Sequence, residues 1–298
     1  MVDAVPEQGG EQRLGLDDAA LAVMPTVYAP GLFSGQVALV SGGAGGIGRA
    51  ISWLLARLGA HVIVAGRKRE RIDGLVEALC EAGFAASGAV VDIRDADAVA
   101  AMFAEIKVAH GGVNLLVNSA GGQFPQPAID FSVKGWNAVV ATNLNGTWFM
   151  MQAAARQWRE AGVGGSIVNI VVVTRHGLHG VAHSVAARAG VIALSESVAV
   201  EWAPLGIRVN CIAPGAIETE GWKVYSPEAR GRYWRSNPMM RVGSAWDVAE
   251  ACVYLGGPAG GFVTGDLLTV AGGGQLWGET WTTGRPEYFE TRQESKAT

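Results

Sequence analysis

Apolar residues in this chain fall into short unbroken blocks that alternate with longer stretches of helical period. The blocks cover residues 37–41, 61–65, 89–92, 115–118, 166–173, 208–212 and 267–270 and are rich in Val, Ile and Leu. A run of that kind, without apolar–polar alternation, suits a parallel strand covered on both faces. Residues 47–58, 69–82, 96–110, 133–160 and 184–202 instead read as helices with an apolar stripe. Strands and helices alternating in this order predict an α/β fold: a single doubly wound parallel sheet with helices on both faces.

The pattern also sets boundaries. Residues 1–31 are polar, rich in Gly and acids and without periodicity, which predicts a partly disordered arm. Residues 32–274 carry the strand–helix rhythm and form one domain; 275–298 are left as a tail. Residues 218–244 break the rhythm before the last βα unit and hold Trp222, Tyr225, Tyr233 and Trp234, so they are expected to form a small lid.

Composition narrows the function classes. Hydrophobic residues make up 49% and charged ones 17%, enough for a well-filled core, and 42 glycines among 298 residues suit many tight strand–helix turns. A net charge of −4, with basic residues scattered, gives no footprint for nucleic acid. Cys80, Cys211 and Cys252 have no paired spacing, which argues for a reduced, cytoplasmic setting without disulfides or a zinc site. No apolar run approaches 18 residues, so no membrane span is expected.

Ser41-Gly-Gly-Ala-Gly-Gly-Ile-Gly48 follows the first strand and opens the first long helix. Gly42, Gly46 and Gly48 allow a tight turn and close approach, while the helix start at Ile47 offers free N–H groups to a pyrophosphate. The expectation is a Rossmann-type dinucleotide site. The second strand ends Val64-Ala-Gly66-Arg67, where an NAD-binding chain would place an acid for the ribose 2′-hydroxyl. Without that acid, Arg67 and Lys68 are either a solvated charge run or a 2′-phosphate subsite, and the missing acid favours NADPH over NADH. Asp92 and Ile93 at the end of the third strand are expected beside the adenine. The small residues of Asn118-Ser-Ala120-Gly121 leave room for the adenosine ribose. Pro214-Gly215-Ala-Ile217-Glu-Thr219, after the sixth strand, offers backbone and a hydroxyl to the nicotinamide.

Taken together over roughly residues 33–274, these motifs resemble the short-chain dehydrogenase/reductase family. Thr142-Asn143-Leu-Asn-Gly146 is similar to that family's helix-borne Asn, which kinks its helix and orders a relay water. Gly121-Gly-Gln-Phe124, Lys134-Gly-Trp136, His183-Ser-Val-Ala-Ala-Arg-Ala-Gly190 and Val200-Glu-Trp202 resemble the subgroup of peroxisomal trans-2-enoyl-CoA reductases. Bacterial citronellol/citronellal dehydrogenase-like proteins carry a similar His-Ser-x-Ala-Ala-Arg. The resemblance implies hydride transfer with a nicotinamide cofactor and a homo-oligomer, a tetramer. Apolar positions Trp148, Phe149, Met150 and Met151 point to the same assembly.

The chain departs from the family at its reaction centre. Where the family has Tyr-x-x-x-Lys, this chain has Ser184-Val-Ala-Ala-Arg188, and the family's catalytic Ser position falls on Val171 or Val172. Ser184 can donate to an oxyanion but is a poor acid; Arg188, four residues on, shares its helix face and stays protonated, so it can hold the nicotinamide ribose of the cofactor but cannot shuttle protons. Moving a proton at a reacting alcohol oxygen needs a positioned acid/base. Conjugate reduction needs donors for a developing enolate, and the carbon proton can come from water. Ser184, Arg188 and Asn143 therefore fit reduction of an activated C=C such as a trans-2-enoyl-CoA, or a hydrophobic enal or enone. The competing readings are a dehydrogenase of a terpenoid-like alcohol or aldehyde, and an inactive NADP-binding subunit. No Tyr lies between Tyr28 and Tyr225, so a catalytic phenol would have to come from the lid, as Tyr225 or Tyr233. His176, His179 and His183 precede Ser184 and offer another acid, with His183 preferred.

Overall fold

The computed structural model describes residues 14–175, 178–278 and 286–289. Seven parallel strands form one sheet: β1 (Val37–Ser41), β2 (His61–Gly66), β3 (Ala86–Val90), β4 (Leu115–Asn118), β5 (Gly165–Ile170), β6 (Ile207–Pro214) and β9 (Leu267–Val270), in the order β3-β2-β1-β4-β5-β6-β9. Two short strands, β7 (Ile217–Glu218) and β8 (Gly243–Ser244), pair apart from it. The chain winds one way from β1 to β3 and the other way from β4 onward, so a crevice opens at the carboxyl ends of β1 and β4.

Helices cover both faces, as the apolar stripes require. On one side lie α2 (Gly46–Arg57), α3 (Arg69–Glu81) and α9 (Ala245–Gly256), around Trp53, Leu54, Leu75 and Val253. On the other lie α4 (Ala96–His110), α6 (Thr147–Ala161) and α7 (Ala182–Trp202), around Phe103, Met150, Trp158 and Val198. Each large side chain so buried stabilises the fold by about 1.5–3 kcal/mol. The helix ends follow local chemistry. Asp95 caps α4 by accepting from Asp97 N and Ala98 N at 3.0 Å, and Ser244 and Asp247 form a capping box on α9.

Several expectations shift. The third strand lies at 86–90, ahead of 89–92, because an edge strand has one half-open face and no continuous apolar run. The fifth ends at Ile170, and Val172 and Val173 leave the sheet where β6 no longer pairs. The helix expected over 133–160 comprises α5 (Val133–Val140), a π-helical turn at Ala141–Gly146, and α6. The turn lets Gly146 close against Ile93, where a Cβ would come within 2.7 Å of its side chain.

The boundary expected at residue 31 does not separate arm from domain. Residues 14–31 contain α1 (Asp18–Val23), whose Asp18 accepts from Arg49 Nε and Trp53 Nε1 at 2.6 Å each. Arg57 donates to the carbonyls of Leu21 and Met24, and Leu21 is buried. These anchoring side chains lie on α2, and Trp246 of α9 donates to the Pro25 carbonyl at 2.9 Å, so local composition did not reveal the docking. Residues 1–13 and most of the tail fall outside the described residues. The lid span 218–244 contains β7, two short 3₁₀ turns, α8 (Pro227–Arg230) and β8. Among the described residues no helix is long and apolar enough to cross a membrane.

Candidate active site

The crevice beside β1 and β4 is built mostly from backbone. A Cβ on Gly42 would lie 2.7 Å from the backbone of Ala120, and one on Gly48 only 2.3 Å from the Gly42 carbonyl oxygen. Bare glycines let the loop fold flat and start α2 at Gly46, so the first-turn N–H groups have no helical partner and face the crevice. The groove encloses about 230 Å³ and is lined by Gly42, Gly45, Gly66, Arg67, Lys68, Asp92, Ile93, Ala120 and Gly121. A glycine cradle at a helix start, with Arg67 and Lys68 also lining the groove, fits a dinucleotide.

Some sequence-predicted residues do different work here. Asp92 lines the groove, but its carboxylate is gripped by Arg94, whose Nε lies 2.9 and 3.0 Å from its two oxygens. That hydrogen bond holds the Asp92 carboxyl down at about 2. The Asn118 side chain is buried and donates to Asn169 Oδ1 at 2.9 Å; Asn169 in turn donates to Ser195. It ties β4 to β5, leaving the neighbouring small residues to line the groove. Ser41, also buried, accepts from Ala120 N at 3.4 Å. Pro214 ends β6, and Gly215 N donates to Val270 O. Ile217 is buried, while Thr219 stands against Gly46, beside the glycine loop. The next residue, Glu220, pairs with Arg71 across Gly45.

The reaction centre is assembled from side chains far apart in sequence. Asn143, in the π-helical turn, is fully buried. Its Oδ1 accepts from Gly122 N at 3.0 Å, and its Nδ2 donates to Gly122 O at 3.0 Å and to Ser184 Oγ at 3.2 Å. The amide therefore clamps the loop after β4 and orients the Ser184 hydroxyl, whose own hydrogen remains to donate. Arg188, one turn on from Ser184, donates to the Ile170 carbonyl, and its guanidinium fills the space a side chain at Gly121 would need. Burial lowers the Arg188 guanidinium to about 10, which still leaves it charged at neutral pH. Val171, one of the two candidates for the family's Ser position, is buried in a small apolar cluster with Val191, Cys211 and Ala213, while Val172 is half-buried.

His183 is not brought to the Ser184 hydroxyl. Its ring is fully buried, stacked on Phe131 at 4.3 Å and edge-on to Phe124 at 4.5 Å. Its Nδ1 accepts from Ser184 N at 2.9 Å, so the ring is held by packing and by backbone, with no bond to the Ser184 hydroxyl. Neighbouring residues on a helix point 100° apart, which explains why adjacency in sequence misled. His179 is exposed in the preceding loop, and His176 lies outside the described residues. Sequence reasoning gave no role to Phe124 and Phe131, which box His183, or to Gln123, whose amide meets Tyr225 of the lid. Only the position of Gly121-Gly-Gln-Phe124 after a strand end hinted at them.

A doubly wound sheet with a glycine cradle at its switch point and a polar centre beside it defines a nucleotide-dependent oxidoreductase. The sequence profile of the family described as enoyl-(acyl carrier protein) reductase matches residues 42–275. The chain belongs to this branch of the short-chain dehydrogenase/reductase family. It is 36% identical over 243 residues to the probable 2,4-dienoyl-CoA reductase of Bacillus subtilis, covering 80% of this chain and 96% of that one. It is also 36% identical over 249 residues to gluconate 5-dehydrogenase of Gluconobacter oxydans, covering 82% and 97%. Among solved structures, the citronellol catabolism dehydrogenase of Pseudomonas aeruginosa PAO1 superposes with a TM-score of 0.76 at 38% identity, covering 84% of this chain and 99% of that one. These relatives span both C=C and alcohol chemistry.

Proposed function

We infer that the protein is an NADPH-dependent reductase of an activated C=C, with a trans-2-enoyl thioester such as an acyl-CoA as the substrate class. The observation that carries this reading is the Ser184 hydroxyl. It is buried, accepts from Asn143, and keeps its hydrogen for a substrate oxygen, while no titratable acid stands at the family's Tyr position. Such a donor stabilises an enolate but cannot supply the proton exchange that alcohol oxidation needs. The dinucleotide supplies the hydride. Gly42, Gly46 and Gly48 would hold its pyrophosphate, Arg67 and Lys68 its 2′-phosphate, and Thr219 its nicotinamide end. Arg188 holds the Ile170 carbonyl and sets the positive field beside Gly121. Likeness to a dienoyl-CoA reductase supports the same substrate class.

A terpenoid alcohol or aldehyde dehydrogenase is the second reading, favoured by likeness to the citronellol catabolism enzyme. One assay separates the two: NADPH oxidation with crotonyl-CoA, run beside NADP-dependent oxidation of a hydrophobic alcohol panel. Turnover of crotonyl-CoA is expected; turnover of alcohols alone overturns the first reading. We further assign a cytoplasmic homotetramer. Met150 and Met151 do not support it, since both are buried in the subunit's own core. On the helices expected to make the contact, the described large apolar residues left exposed are Val133, Trp136 and Val200, and light scattering at micromolar concentration is expected to give four times the chain mass.

A further inference from the structure

We propose that Tyr225, carried by the lid, is the second hydrogen-bond donor to the substrate's activating carbonyl, with Gln123 as its positioning residue. The proposal rests on the conjugate-reduction reading. Gln123 Nε2 donates to the Tyr225 hydroxyl at 2.5 Å. A phenol that accepts this bond keeps its own hydrogen to give away, the same arrangement that Asn143 imposes on Ser184. The two hydroxyls are also mechanically linked. Gln123 follows Gly122, whose N–H and C=O are both held by Asn143, and Phe124 is wedged against His183 on the next side. The path Ser184–Asn143–Gly122–Gln123–Tyr225 runs from the floor of the site to its lid without a gap.

Tyr233, the other lid phenol, is placed differently. Its ring packs edge-on to Trp222 at 4.8 Å and to Tyr225 at 5.7 Å, and burial pushes its hydroxyl up from the ordinary phenol range. It supports the Tyr225 ring.

The reaction balances. Hydride from NADPH, whose dihydronicotinamide C–H bond would break to leave NADP+, would form a C–H bond at the β-carbon; the C=C electron pair then makes an enolate whose charge settles on the carbonyl oxygen. Ser184 and Tyr225 both donate to that oxygen. A water proton then reaches the α-carbon, and the carbonyl reforms. Two donors on one oxyanion are worth more than one because each acts at the atom where charge develops.

The test compares Tyr225→Phe, Tyr233→Phe and the wild type with crotonyl-CoA and with the alcohol and aldehyde panel. Tyr225→Phe is expected to lower kcat about 100-fold, with NADPH affinity and Tm unchanged. Tyr233→Phe is expected to leave kcat within about threefold, since it loses only a hydroxyl in a packed ring. Gln123→Leu should lower kcat in the wild type and do nothing further in Tyr225→Phe, the coupling a positioning role requires. Crotonyl-CoA turnover within about threefold in Tyr225→Phe, too small a loss for an oxyanion donor, overturns the proposal and leaves conjugate reduction standing. Turnover of alcohols alone by the wild type overturns the parent reading, and with it the enolate role of Tyr225. A wild type inactive on all substrates overturns both.

Discussion

The two halves of the cleft are made in opposite ways. The cofactor half is mostly backbone: a glycine loop, a helix start and the ends of β1 to β4, each a short local motif, with Arg67 and Lys68 adding side-chain charge. The substrate half is side chains: Asn143 from a π-helical turn, Ser184 and Arg188 from α7, Gln123 from a loop, Tyr225 from the lid. Backbone geometry tolerates little beyond glycine at Gly42 and Gly48. The side-chain half accepts a Ser for a Tyr and an Arg for a Lys, because hydrogen-bond partners can be rebuilt around a new group. That contrast explains how one family spans relatives acting on dienoyl-CoA and on gluconate with one cofactor cradle.

The comparison is sharpened most by changing the substrate half alone. Ser184→Ala is expected to lower kcat by about ten- to a thousandfold for a lost oxyanion donor, with dinucleotide affinity intact by fluorescence titration. Unchanged turnover would show that this hydroxyl carries no chemistry. Ser184→Tyr with Arg188→Lys should hinder alkene reduction further by crowding the pocket, and ketone reduction by this pair would mark the switch back to family chemistry.

The converse change falls on the cofactor half. Gly48→Ala should weaken dinucleotide binding about 10- to 100-fold, from about 1–3 kcal/mol of overpacking against the Gly42 carbonyl. Binding within twofold of wild type would mean that the loop has slack the close contact denies. Arg67→Ala should weaken NADPH by about 1–3 kcal/mol as a charge-assisted contact is lost, and NADH scarcely at all. Equal weakening of both cofactors would sink the 2′-phosphate assignment.

The smallest effect is on acid stability. Arg94 holds the Asp92 carboxyl at about 2 against an ordinary value of 3.8, so the folded state favours the charged form. Its stabilising contribution is complete above about pH 4 and is lost as pH falls through 2. The pair is partly exposed, so the Tm gap between wild type and Asp92→Asn should correspond to less than about 1 kcal/mol. The gap should narrow as pH falls towards 2; a constant gap from pH 6 to 2 would show that the pair is not the cause.

Legibility followed the same divide. Residues 37–41, 96–110, 115–118 and 267–270 were readable to the residue, because buried or half-buried parallel strands and capped helices write their pattern locally. The glycine loop was readable because close approach leaves one residue type that fits. The π-helical turn was not, since Ala141–Gly146 continues the helical period and only the contact with Ile93 gives it a reason. His183 read as an acid from its place beside Ser184, yet rotation around the helix turned it into the Phe124–Phe131 box.

By itself, then, the sequence determined the sheet, its winding and the dinucleotide cradle, since each depends on short-range pattern and on glycine's missing side chain. Only the tertiary structure decided that Asn143 serves both Gly122 and Ser184, that Asn118 is held inside the sheet, that residues 14–31 dock on α2 and α9, and that Tyr225 meets Gln123. Those are contacts between distant segments, and a hydrogen bond between them leaves no period or spacing along the chain.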